Sequence, residues 1–111
     1  MEKIYNKLVR DKIPEIIKSN GEKPKISILD DARYKEELEK KLYEEYIEVI
    51  ESSCSSRIEE LADMLEVITA LAKLEDKTLD DVILVAKEKA QQRGAFDKKI
   101  FLEKSVYRSV F

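Results

Sequence analysis

Between Glu44 and Glu66 this chain carries eight carboxylates against a single basic residue, Arg57. They form two clusters: Glu44, Glu45, Glu48 and Glu51, then Glu59, Glu60, Asp63 and Glu66. Each cluster holds an acidic pair three residues apart, Glu45/Glu48 and Glu60/Asp63. On a helix that spacing puts both side chains of a pair on one face. Two such helices facing each other bring four carboxylates to one point, and like charges so placed repel unless a cation lies between them. The pattern therefore asks for helices whose acidic faces turn either to water or to each other around a cation.

Composition agrees with helices. Two Gly and two Pro in 111 residues leave little room for a turn-rich β architecture. Apolar residues at 43% are enough for an ordered core despite 41% charged residues. The length suits one domain covering 1–111. A net charge of −3 argues against a generic nucleic-acid binder, although the average hides an acidic centre and basic ends. One Cys allows no internal disulfide, which fits a reducing cytoplasm. The absence of His excludes a histidine base, a Cys/His nucleophilic site and a His-ligated zinc site. The first twenty residues mix charges and do not read as a signal peptide, and no apolar run reaches the length of a membrane span.

Along the chain, residues 1–8 read as an irregular arm. A first helix is expected over 10–19, with Ile13, Ile16 and Ile17 on one face and Pro14 in the first turn. Asn20-Gly21 stops it. Residues 25–29 alternate polar and β-branched side chains, the pattern of a short strand that would need a partner. A second helix is expected over 32–52, capped by Asp30 or Asp31, with an apolar arc of Leu38, Leu42, Tyr46, Val49 and Ile50 widened by Tyr43 and Ile47. The serine run 52–56 breaks the chain. The third helix, 57–74, shows a wide apolar face of Leu61, Met64, Leu65, Ile68, Leu71 and Ala72. Thr78 opens a fourth over 79–92 with a capping-box pattern, and Gly94 ends it. The apolar residues after Ala95, Phe111 included, form a tail expected to dock on the body or on a second subunit.

For an arbitrary amphipathic helix, acids are most often a solvated face. Three features weigh against that here. Lys40 and Lys41 stop short of the first cluster and nothing basic follows until Arg57. Glu45 projects onto the edge of the apolar arc beside Leu38 and Val49, where burial is expected. Asp63 is a poor helix former at mid-helix. All-oxygen ligands suit a hard cation, Mg²⁺ or Mn²⁺, better than zinc. Such a cation neutralises a polyphosphate and activates water, and a free carboxylate nearby can take the proton. Cationic contacts for an anionic substrate are available from Lys7, Arg10 and Lys12 near the start and from Lys87, Lys89 and Arg93 on the fourth helix. Taken singly, each of these is more often ordinary surface charge. Tyr5, Tyr34, Tyr43 and Tyr46 are stacking candidates that are more often core.

At these residues the chain resembles the MazG-like, all-α nucleoside triphosphate pyrophosphohydrolases, marked by E-E-x-x-E and, after a connector, E-x-x-D. Here the two halves are Glu44-Glu45-Tyr46-Ile47-Glu48 and Glu60-Leu61-Ala62-Asp63. Tyr5-Asn-Lys-Leu-Val-Arg-Asp-Lys-Ile-Pro14, and Lys89 with Arg93-Gly-Ala-Phe96, are similar to a subgroup labelled phosphoribosyl-ATP pyrophosphohydrolase-like. The resemblance implies an all-α bundle completed by oligomerisation as a dimer or tetramer. It implies Glu45, Glu48, Glu60 and Asp63 as Mg²⁺ ligands and Glu44 as a supporting or base residue, with Glu44 and Glu45 the catalytic candidates. It implies hydrolysis of an α–β phosphoanhydride to a monophosphate and pyrophosphate. Wide apolar faces on several helices independently suggest that one subunit cannot cover them all. Two rivals stand beside this reading: a phosphoribosyl-ATP pyrophosphohydrolase of histidine biosynthesis, and a non-catalytic helical module whose acids bind a basic partner.

Overall fold

A computed structural model describes residues 2–107. Four helices follow one another: α1 (Ile13–Ser19), α2 (Asp31–Glu51), α3 (Arg57–Leu74) and α4 (Leu79–Arg93). The all-α expectation holds. Residues 25–29, however, form no strand, and no strand occurs among the described residues. Ile26 and Ile28 are exposed there. An alternating pattern becomes a strand only when a second strand satisfies its backbone, and this segment has none.

Helix ends follow local chemistry. α1 begins three residues later than its pattern suggests, after a turn in which the Ile13 amide donates to the Arg10 carbonyl at 3.1 Å. Pro14 sits in its first turn. At the other end the Glu22 amide donates to the Ile17 carbonyl and the Gly21 amide to Lys18, with Gly21 at φ 86°. This is a Schellman ending, and the left-handed backbone explains the glycine. Asp30 caps α2 by accepting from the Arg33 amide at 2.8 Å. In the break, Ser52 Oγ donates to the Val49 carbonyl and the Ser53 hydroxyl contacts those of Ser55 and Ser56. Short polar side chains that bond to nearby backbone are what ends α2 and reverses the chain. α3 ends on a second Schellman arrangement, with Asp76 at φ 57° in the position that Gly21 takes after α1.

Contacts divide the described chain into two compact units, one up to Leu79 and one from Asp80. In the first, α2 and α3 pack together as a helical hairpin. Among the described residues the buried apolar side chains are few: Leu38 at 3% exposure, Val67 at 7% and Ala72 at 8%. In the second unit α4 buries no residue, and Phe96, Ile100, Phe101, Leu102, Val106 and Tyr107 of the tail are exposed. Val110 and Phe111, also assigned to that tail, lie outside the described residues. Among the described residues no helix is long and apolar enough to cross a membrane.

So thin a core makes its members sensitive. Leu38→Ala is expected to cost about 2–5 kcal/mol, a large share of the roughly 5–15 kcal/mol that holds a typical domain. Urea denaturation checks this: a midpoint shift of less than a tenth of wild type would mean Leu38 is not the centre of the core.

Candidate functional site

The two acidic pairs stand at matching distances from the ends of the serine break. Glu48 and Glu60 are one turn away, Glu45 and Asp63 two turns, roughly 10 Å along each helix. A hairpin therefore sets them side by side. Carboxylate oxygens of Glu45, Glu60 and Asp63 lie within 4.8 Å of one another, close enough for one cation to touch all three. Glu48 is exposed and outside this trio, yet near enough that its charge acts on Glu60. Glu44, half exposed, faces Lys41 rather than the trio.

Glu45 is buried at 8% exposure, as its place in the apolar arc implies. Leu38, Leu42, Glu45 and Val49 follow helical spacing, so a carboxylate occupies a position on the seam that α2 presents to α3. On α3 the corresponding line is Glu60, Asp63 and Val67. The Glu60 carboxyl is held above the ordinary carboxylate range, first by burial and then by the neighbouring charges of Glu48, Asp63, Glu45 and Glu59. A site that raises a carboxylate in this way accumulates negative charge without full compensation.

Two cations reach into the cluster. Lys41, one turn before Glu44 and Glu45, places Nζ 3.5 Å from Glu44 and 3.6 Å from Glu45. The sequence reading that Lys41 stops short is thus corrected: linear adjacency hid an i,i+4 contact that helical geometry supplies. Arg10 donates from Nη2 to Asp63 Oδ1 at 2.8 Å, tying the N-terminal arm to α3. Of the other proposed substrate contacts, Lys12 caps α1 with its backbone and exposes its side chain, and Lys7 lies 5.9 Å from the Tyr5 ring centre. Lys87, Lys89 and Arg93 are exposed on α4, in the second unit. Gly94 has open space around it, so its left-handed backbone, not a close approach, explains the glycine. Tyr43 and Tyr46 contact each other at 6.1 Å between ring centres, and both are exposed.

Sequence reasoning also passed over Glu37, a second buried acid on α2. Arg33 Nε at 3.2 Å and Lys40 Nζ at 3.3 Å both contact its carboxylate and hold it below the usual range. Glu37 has two cations to its one carboxylate, whereas Lys41 and Arg10 face three in the Glu45/Glu60/Asp63 cluster, which separates a structural acid from the candidate site.

The raised Glu60 carboxyl carries a pH signature. Between the usual carboxylate pKa and its own higher value, the folded protein binds a proton that the unfolded chain has released, so metal-free stability falls as pH rises through that interval. Glu60→Gln removes this penalty. Melting in EDTA is expected to show a gain for Glu60→Gln that is larger at pH 7.5 than at pH 4; equal gains at both would mean that the charge of Glu60 is not what costs.

Comparison with known proteins adds no assignment: no family model, no curated protein and no solved structure matches the chain.

Proposed function

We propose that this protein is a Mg²⁺-dependent nucleotide pyrophosphohydrolase, cytoplasmic and oligomeric, acting on a nucleoside triphosphate, with Mn²⁺ a workable substitute. The observation that carries the reading is the convergence of Glu45, Glu60 and Asp63 from two helices, with too few cations to balance them. The donor set fits the metal: all ligands are oxygen, and three carboxylates leave positions for phosphate oxygens and water. The motif E-E-x-x-E with E-x-x-D and the flanking segments at 5–14 and 93–96 support the same reading.

Glu45, Glu60 and Asp63 would hold the ion, with Glu48 beside them. When bound, a divalent ion neutralises polyphosphate charge and makes water a better nucleophile. Everything else falls to the chain. Glu44, next to Glu45 in the motif and half exposed, would accept the proton that the attacking water loses once Lys41 yields it. Attack at the α-phosphorus breaks the α–β bridge, and pyrophosphate departs with the electron pair. Lys7, Arg10 and Lys12 would supply positive charge from the arm, while Lys89 and Arg93 are substrate-binding candidates by the resemblance alone.

Phosphoribosyl-ATP is the rival substrate, favoured by the same flanking segments, because the site motif does not separate the two. An interaction module is favoured by a different observation: Lys41 and Arg10 already answer part of the acidic charge. Incubation with NTPs, dNTPs and phosphoribosyl-ATP, with and without Mg²⁺, decides among them. Mg²⁺-dependent pyrophosphate is expected from one nucleotide. No pyrophosphate from any, together with no Mg²⁺-induced rise in Tm, would leave the interaction module.

A further inference from the structure

The ion pairs within α2 all join neighbours on one helix: Arg33 and Lys40 with Glu37, and Lys41 with Glu44 and Glu45. The Arg10–Asp63 pair is different, joining residues 53 apart in sequence and ending on one of the three clustered carboxylates. Arg10 stands on a segment without regular structure, just before the turn that opens α1.

We propose that Arg10 is an exchangeable counter-ion, a positioning residue that holds Asp63 in the metal-free protein, gives way when a divalent cation binds, and is thereby freed to meet the phosphate oxygens of the substrate. The inference rests on the metal-site reading above and goes beyond it, because it couples metal loading to substrate capture through the arm.

Four features carry it. The side chains of Arg10 and Asp63 are 56% and 45% exposed, so the pair is screened by water and easily exchanged. A guanidinium never loses its proton in a protein, so it competes with the metal at every working pH. Release unties the irregular segment around Arg10 from α3 and leaves every helix intact. The freed group is a planar fork of donors, matched to phosphate oxygens better than an ammonium would be. Lys41 differs on the third count, since it is carried in mid-helix on the same element as its acids.

The test uses the full chain. Mn²⁺ binding is measured by the paramagnetic resonance of the free ion in wild type, Arg10→Gln and Arg10→Lys, without nucleotide. Amide hydrogen exchange of residues 8–13 is followed in parallel, and binding of imidodiphosphate is then measured on the Mn²⁺-loaded proteins. Removing an exposed competitor is expected to tighten Mn²⁺ about 2–5-fold in Arg10→Gln. Arg10→Lys should fall between that variant and wild type. Mn²⁺ should speed exchange over 8–13 in wild type, while in Arg10→Gln exchange is fast with or without the ion. Imidodiphosphate should bind Arg10→Gln about 10-fold more weakly, as expected for loss of a charged hydrogen bond. Mn²⁺ binding that is unchanged or weaker in Arg10→Gln, or a wild-type arm still protected with Mn²⁺ bound, overturns the exchange but leaves the metal site standing. Failure of all three proteins to bind Mn²⁺ overturns both.

Discussion

Asp63→Asn is expected to lower Mg²⁺-dependent pyrophosphate release by about 100-fold or more while leaving the helices in place. The substitution keeps the shape of the side chain and removes one of three clustered charges. Its effect on the metal-free fold is a contest between two small terms. The bond from Arg10 is weakened, which for an exposed pair costs about 0.2–1 kcal/mol. Against that, Glu60 loses one of the charges that push its carboxyl up. These oppose each other, so Tm in EDTA should move by only a few degrees at most, while the rise in Tm expected of the wild type on adding Mg²⁺ should shrink or vanish. Circular dichroism, melting with and without Mg²⁺, and pyrophosphate release read the three parts separately. A variant that keeps full Mg²⁺-dependent turnover would remove Asp63 from the site, and with it the reading of the cluster as a metal centre.

What could be read directly from the sequence was whatever depends on neighbours along one helix. The Asp30 cap, the stop at Asn20-Gly21, the serine break and the end of α4 at Gly94 are all local chemistry, and each lies within a residue of its expected place. The burial of Glu45 followed from its position in the arc of α2. The rest depended on contacts that a linear reading does not supply. Arg10 reaches Asp63 only because the arm passes α3, and nothing in the spacing of residues 1–12 says so. The pattern at 25–29 was legible, but its missing partner was not. The sequence pattern presents the apolar face of α3 as one surface, and the structure divides it. Ala72 is buried and Met64, Ile68 and Leu71 are half-buried, whereas Leu61 and Leu65 are exposed. One neighbouring helix covers only part of so wide a stripe, and on α3 the line nearest α2 is shared with Glu60 and Asp63.

Leu61→Glu combined with Leu65→Glu is expected to leave a monomer where the wild type, on the proposed reading, assembles. Ile58, Leu61, Met64, Leu65 and Ile68 line an open apolar groove on α3, and Tyr43, Tyr46 and Ile50 are exposed on α2. Three buried apolar residues among the described ones, beside this much apolar surface turned to water, favour a partner surface that adds to the core. A second copy of the same hairpin supplies a matching face, because a two-fold pairing needs only one self-complementary surface. Charges placed in its centre would be desolvated on association and repel their counterparts across the axis. Sedimentation at micromolar concentration should therefore show a dimer or tetramer for wild type and a single chain for the double variant. Because assembly and folding would share the same buried surface, the variant should also melt lower, and its Tm should lack the concentration dependence expected of an assembling wild type. A wild type that sediments as a monomer with a concentration-independent Tm would mean the groove is not a subunit seam. The acidic cluster would then have to work within a single hairpin.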